Sequence, residues 1–71
     1  MKDFTPAQAE RWITQEFAKC PTPDIVRMRL ESEERMMAMI EGTELAKGLP
    51  NSLNARKRLI EALHNAAKTA A

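Results

Sequence analysis

The chain of 71 residues has no tyrosine and only one cysteine, one histidine, one tryptophan and two glycines. The single cysteine, Cys20, excludes an intramolecular disulfide. Cys20 and His64 are the only soft metal ligands, too few for a closed zinc site, so we expect neither a structural metal nor another cofactor. A core of this size stabilises the fold only marginally. Because a disulfide and a structural metal are not expected, oligomerisation is the remaining source of stability that the composition allows.

Long apolar runs and an excess of one charge are also missing. No apolar stretch approaches the ~20 residues of a membrane span, and the first residues lack the apolar region of a signal peptide. Eleven Lys and Arg stand against ten Asp and Glu, giving a net charge of +1. This balance is unlike the basic excess of a dedicated nucleic-acid-binding protein. We therefore expect a cytoplasmic protein without a membrane partner.

Strand signals are absent, whereas good helix formers dominate. Prolines and glycines divide the chain into three segments, which we predict as helices at about residues 6–19, 23–47 and 52–67. Thr5 and Thr22 are predicted N-caps, each followed by proline, and Gly48 is a predicted left-handed C-cap. The predicted fold class is therefore all-α, with residues 1–71 forming a single small helical domain.

The second predicted helix is much longer than its neighbours. It would span roughly 37 Å, against ~22 Å for each of the other two, so neither can cover it alone. We expect it to be the central helix, with the other two laid against it, and we predict that the chain packs as a helical homodimer. Whether this helix bends at Gly42 is left open by the sequence.

A cluster of large apolar side chains lies in the middle of that helix. They spread over an arc of roughly 160°, wider than the stripe that an ordinary surface helix buries. They could form core or an interface, and unbranched methionine adapts well to irregular partner surfaces. With the two large aromatic residues of the first helix they are the predicted protein-binding or dimer contacts: Trp12, Phe17, Met36, Met37, Met39 and Ile40. We expect the contact to centre on Met37 and Ile40, with Glu33 at its polar boundary.

Each apolar stripe also carries charge near its centre. The charged positions are Glu16 in the first helix, Arg29 and Glu33 in the second and Arg56 in the third. Charges removed from water are costly unless they are paired, so we hypothesise that these four side chains form a polar seam. The alternative is that they lie at helix crossings and extend to solvent with packed stems. A seam of this kind could fix the register of a dimer.

The basic run, Cys20 and His64 are only weak indications of phosphate binding or catalysis. The basic run Arg56, Lys57 and Arg58 points in three directions on a helix, which favours a solvated face with local pairs over a phosphate-binding patch. Cys20 precedes a proline at a helix C-terminus, where the dipole does not activate a thiol, and no acid is evidently placed to orient His64. We therefore predict that the protein is not an enzyme.

These expectations favour a small protein-binding regulator or inhibitor that covers a surface of a larger protein. Inhibitors and anti-activators encoded by phages and other mobile elements are a class of such proteins, cited as an analogy and not as a match of residues. One alternative is a nucleic-acid-binding helical module that uses Arg56, Lys57, Arg58 and Lys68. The other is an accessory subunit of a larger assembly.

Overall fold

A computed structural model describes residues 2–69 of the chain, and these residues form four helices and no strand. The helices are α1 (Pro6–Ala18), α2 (Pro23–Ile40), α3 (Glu44–Gly48) and α4 (Pro50–Thr69). The predicted all-α class is confirmed. The predicted count of three helices is wrong, because the long second segment is divided into α2 and the short α3.

Both predicted threonine caps are present. The Oγ1 of Thr5 accepts a hydrogen bond from the Gln8 amide at 3.2 Å, and the Gln8 side chain accepts one from the Thr5 amide at 2.9 Å. Thr22 accepts from the amide of Ile25 at 3.3 Å, and Asp24 lies in the first turn of α2, where it complements the helix dipole. Local side chains thus fix the start of α1 and α2.

The chain turns at Gly42, which divides the helix predicted over 23–47 at the residue where the sequence left its continuity open. The φ of Gly42 is +80°, a left-handed conformation that side chains with a Cβ rarely adopt. The next residue, Thr43, starts α3 by accepting a hydrogen bond from the Ala46 amide, and it also donates to the carbonyl of Ile40. Gly48 is the last residue of α3 and does not adopt the predicted left-handed cap conformation.

The helix that organises the fold is α4, and not the second segment as predicted. With 20 residues it is about 30 Å long, and α1, α2 and α3 each pack against it. Leu59 and Leu63 on α4 are fully buried. The core around them contains Cys20, Val26 and Leu30, with Trp12, Ile60, Ala66 and Ala67 packed at its edge. The break at Gly42 shortens α2, which leaves α4 as the longest helix.

Asp3 caps α4 from the other end of the sequence. Its carboxylate accepts hydrogen bonds at 2.8 Å from the backbone amides of Asn51 and Ser52 and from the Ser52 hydroxyl. Burial alone would raise the pKa of Asp3, but these hydrogen bonds outweigh it and hold the pKa below its ordinary value. The cap of α4 therefore comes from a distant part of the chain, and it fastens the first residues onto α4.

Candidate protein-binding surface

The structure brings together all four residues of the polar seam. Arg29 donates to Glu16 at 2.8 Å and to Glu33 at 2.9 Å. The Nη1 of Arg56 donates to both oxygens of Glu33, at 3.1 and 2.8 Å. The seam therefore links α1, α2 and α4 through one continuous set of ion pairs.

Glu33 is the buried centre of the seam, since the residue is only 2% exposed. The side chains of Glu16, Arg29 and Arg56 are 15%, 24% and 29% exposed, so the seam opens to solvent at its ends. The Cζ of Arg56 lies 5.2 Å from the centre of the Trp12 ring, close enough for a cation–π contact. Glu33 therefore forms buried ion pairs. The alternative, in which side chains extend to solvent, applies only to the partly exposed Arg29 and Arg56.

The ion pairs of the seam shift the pKa values of Glu16 and Arg29. Hydrogen bonds from Lys19 and then Arg29 hold the pKa of Glu16 below its ordinary value, although burial acts in the opposite direction. Burial alone would lower the pKa of Arg29, but its hydrogen bonds to Glu16 and Glu33 outweigh burial and raise it. Both groups are therefore charged at neutral pH.

A line of exposed apolar side chains follows one side of α2. Met28 and Met39 are 70% and 77% exposed, and Ile25 and Met36 are 39% and 37% exposed. Together with Ser32 these residues form what we call the α2 stripe: Ile25, Met28, Ser32, Met36 and Met39. On a helix they fall within about 40° on either side of Ser32. Large apolar side chains exposed along one face of a helix are typical of an interaction surface.

A second apolar feature adjoins the end of the stripe. Residues of α2, α3 and α4 line an open concavity of about 210 Å³, which we call the α3 groove: Met36, Ile40, Leu45, Ala46, Leu49, Ser52, Leu53 and Arg56. Leu45 stands half exposed at this groove. Because the chain turns at Gly42, α3 folds back and supplies one wall of the groove.

The structure separates the six predicted contact residues. Met37 is 7% exposed and belongs to the interior, so it offers little free surface for the predicted contact. Met36 and Ile40 line the α3 groove, while Met39 is open to solvent on the α2 stripe. Successive helical residues differ by ~100° in direction, and the direction of α4 decides which methionine is buried.

The two aromatic residues of α1 are placed differently from each other. Trp12 is half-buried against the core, and its ring centre lies 6.0 Å from that of Phe4. Phe17 is 38% exposed near the end of α1. Sequence reasoning missed Ile25 and Met28 of the α2 stripe and Leu45 of the α3 groove. The spacing of Ile25 and Met28 around Ser32 can be recognised in the sequence. Leu45 reaches the groove only because the chain turns at Gly42.

The basic run is neutralised by neighbouring acids. Arg56 belongs to the polar seam, Lys57 lies 3.5 Å from Glu41, and Arg58 pairs with Glu10. Glu41 lies outside α4, so its contact with Lys57 is not one of the predicted local pairs. The run therefore presents less net positive charge than its sequence suggests.

Cys20 and His64 occupy different environments. Cys20 is buried, and its thiol lies 3.6 Å from the carbonyl of Glu16. His64 is half exposed on α4, and contrary to our expectation an acid, Glu34, stands near it at 3.7 Å. A concavity of about 570 Å³ lies beside Asp3, Phe4 and Trp12, and neither Cys20 nor His64 lines it.

Comparison of the chain with protein-family models, curated proteins and solved structures finds no match. Within residues 2–69, no cluster of His, Cys, Asp and Glu has an arrangement suited to a metal ion. In the same part of the chain, no helix combines the length and apolar character needed to cross a membrane.

Proposed function

We propose that the protein is a small non-enzymatic regulator that binds a larger protein and acts by covering part of its surface. The observation that carries this proposal is the α3 groove. Its volume of about 210 Å³ is smaller than the roughly 300–1,000 Å³ of ordinary small-molecule sites. A concavity of that size suits one or two apolar side chains from a protein partner.

The mode of binding that fits this groove is insertion of an amphipathic helix. Such a helix presents apolar side chains at i, i+3, i+4 and i+7, and its anchors enter apolar grooves on the receptor. Met36 and Ile40 supply one wall, and the half-exposed Leu45 would meet the incoming helix first. The flexible methionine can adjust its shape to the inserted side chain. An inhibitor or anti-activator that competes for such a helix would need no chemistry of its own.

The second part of the proposal is that the chain forms a homodimer in the cytoplasm. It is supported by the α2 stripe, where Met28 and Met39 are mostly exposed although they are large and apolar. Interfaces between identical subunits commonly bury such surfaces. The stripe and the α3 groove share Met36 but otherwise consist of different residues, so dimerisation and partner binding can be perturbed separately.

Panning a displayed library of peptides against the folded protein tests the groove. We expect enrichment of sequences with helical apolar spacing, and we expect Leu45→Asp to weaken binding of the selected peptide at least about tenfold, as for an interface anchor. Lys47→Asp is the matched control, because Lys47 lies on the same short helix, is exposed and does not line the groove. Enrichment of no helical sequence, or equal binding by the two variants, would contradict the proposal.

Nucleic-acid binding is the first alternative, and the ion pairs of Arg56, Lys57 and Arg58 weigh against it. A titration of a random DNA duplex at increasing salt distinguishes the two functions, because binding to phosphates weakens steeply with salt. The accessory-subunit alternative predicts a chain that aggregates or unfolds when purified alone. A free-standing regulator is expected to purify as a folded species.

A further inference from the structure

The α2 stripe has an internal symmetry that suits pairing with itself. Taking Ser32 as the centre, Met28 and Met36 lie four residues before and after it, and Ile25 and Met39 lie seven residues before and after it. In an antiparallel pair whose two-fold axis passes between the two Ser32 residues, these positions lie opposite each other at equal heights. The stripe therefore suits an interface between identical subunits, in which residue i contacts j while j contacts i.

We propose that two copies of the chain pair through the α2 stripe with their α2 helices antiparallel and the two Ser32 residues at the two-fold axis. This inference rests on the proposed homodimer and specifies its geometry. Met28 of one copy then faces Met36 of the other, and Ile25 faces Met39. The small Ser32 at the centre permits the two backbones to approach closely. The four large side chains on each copy lose their exposure to water together.

Charges beside the stripe complement each other in this orientation. Glu31 and Arg35 lie on the same flank of the stripe, one residue before and three residues after Ser32. In an antiparallel two-fold pair, each flank of the stripe faces the same flank of the other subunit. Glu31 of one subunit then lies at nearly the same height as Arg35 of the other, with an offset of about 3 Å along the axis. Within residues 2–69, neither side chain has an ion-pair partner within 4.0 Å, so both are available to a second copy.

A parallel pair would lack this complementarity. In a parallel two-fold pair, each flank of the stripe faces the opposite flank of the other copy, so Glu31 and Arg35 face the flank that carries Arg29 and Glu33. These two side chains are already paired within the polar seam. The flanking charges therefore favour the antiparallel orientation, and the position of Glu31 and Arg35 on one flank specifies the register.

Disulfide cross-linking between engineered cysteines tests both the pairing and its orientation. The variants carry Cys20→Ala, with circular dichroism to verify the helical fold, because Cys20 is the only native cysteine. Under mild oxidation, Ser32→Cys should link to itself, which reports pairing in either orientation. Met28→Cys mixed with Met36→Cys should give the mixed dimer, whereas Met28→Cys alone should remain largely unlinked, because its two copies lie about 12 Å apart along the axis.

Ala38→Cys is the matched control, since Ala38 is exposed on α2 but lies away from the stripe. Strong self-linking of Met28→Cys would overturn the antiparallel orientation and leave the homodimer itself standing. Linking of Ser32→Cys no faster than that of Ala38→Cys would overturn the pairing through α2. Neither result would affect the α3 groove, which the Leu45 and Lys47 variants test separately.

Discussion

Replacement of Arg56 by methionine is expected to destabilise the fold strongly, because it leaves the buried carboxylate of Glu33 with one charged partner in place of two. The change removes two hydrogen bonds, at 3.1 and 2.8 Å, and the contact of the guanidinium with Trp12. Breaking a fully buried ion pair costs about 3–5 kcal/mol. Since Arg29 still contacts Glu33 and Arg56 is 29% exposed, we expect a loss of about 2–3 kcal/mol in the free energy of unfolding.

Urea unfolding followed by circular dichroism, at one low protein concentration, measures this loss. With a slope near 1 kcal/mol per M for so small a domain, the midpoint should fall by about 2–3 M. Arg58→Met is the control, because Arg58 is on the same helix and its ion pair with Glu10 is exposed at both ends, so little change is expected.

The double variant Glu33→Leu with Arg56→Met completes the test. Replacing both partners removes the buried charge as well as its counterion, so the double variant should be more stable than Arg56→Met alone. A midpoint for Arg56→Met that shifts no more than that of Arg58→Met would refute the buried seam. A more stable Glu33→Leu protein whose self-association is unchanged would show that the seam does not set the register of the dimer.

Three further predictions concern the interior, the turn and the acid response. Met37→Ala should cost about 2–5 kcal/mol in urea unfolding, whereas Met39→Ala should alter the stability of the monomer by less than about 0.5 kcal/mol; equal losses would contradict their opposite burial. Gly42→Ala should cost about 1 kcal/mol, because φ is +80° and no atom lies near the added Cβ; no loss in the same assay would mean that the turn is absent in solution. The folded pKa values of Asp3 and Glu16 lie below the ordinary 3.8 and 4.5, so the unfolded chain binds more protons and the melting temperature should fall as pH drops from about 4.5. Asp3→Asn should weaken that fall in thermal melts and speed hydrogen exchange of the first amides of α4; an unchanged pH profile and exchange would contradict the cap.

Features set by neighbouring residues could be predicted from the sequence. Thr5 and Thr22, each before a proline, define the starts of α1 and α2 because capping needs only residues within one turn. The members of the polar seam could be named because each helix places a charge on its own buried face. Their partners follow from the cost of leaving such charges unpaired.

Features that depend on distant contacts could not be predicted in the same way. The carboxylate of Asp3 accepts hydrogen bonds from Asn51 and Ser52, which follow it by 48 and 49 positions in the chain. No local sequence pattern predicts this cap. Burial of Met37 rather than Met36 depends on the direction from which α4 approaches α2. The break after α2 can be predicted in part, because Gly42 is followed by Thr43, a residue suited to cap a new helix.

Sedimentation equilibrium of the wild type and of Met39→Glu tests most directly whether the exposed side of α2 is an interaction surface. We expect the mass of the wild type to rise with concentration toward twice the 8.0 kDa of one chain. Met39→Glu should stay at one chain mass with an unchanged helical spectrum, because Met39 is 77% exposed and contributes little to the monomer. A wild type that remains at 8.0 kDa up to about 1 mM, where even a weak complex would form, would contradict this expectation.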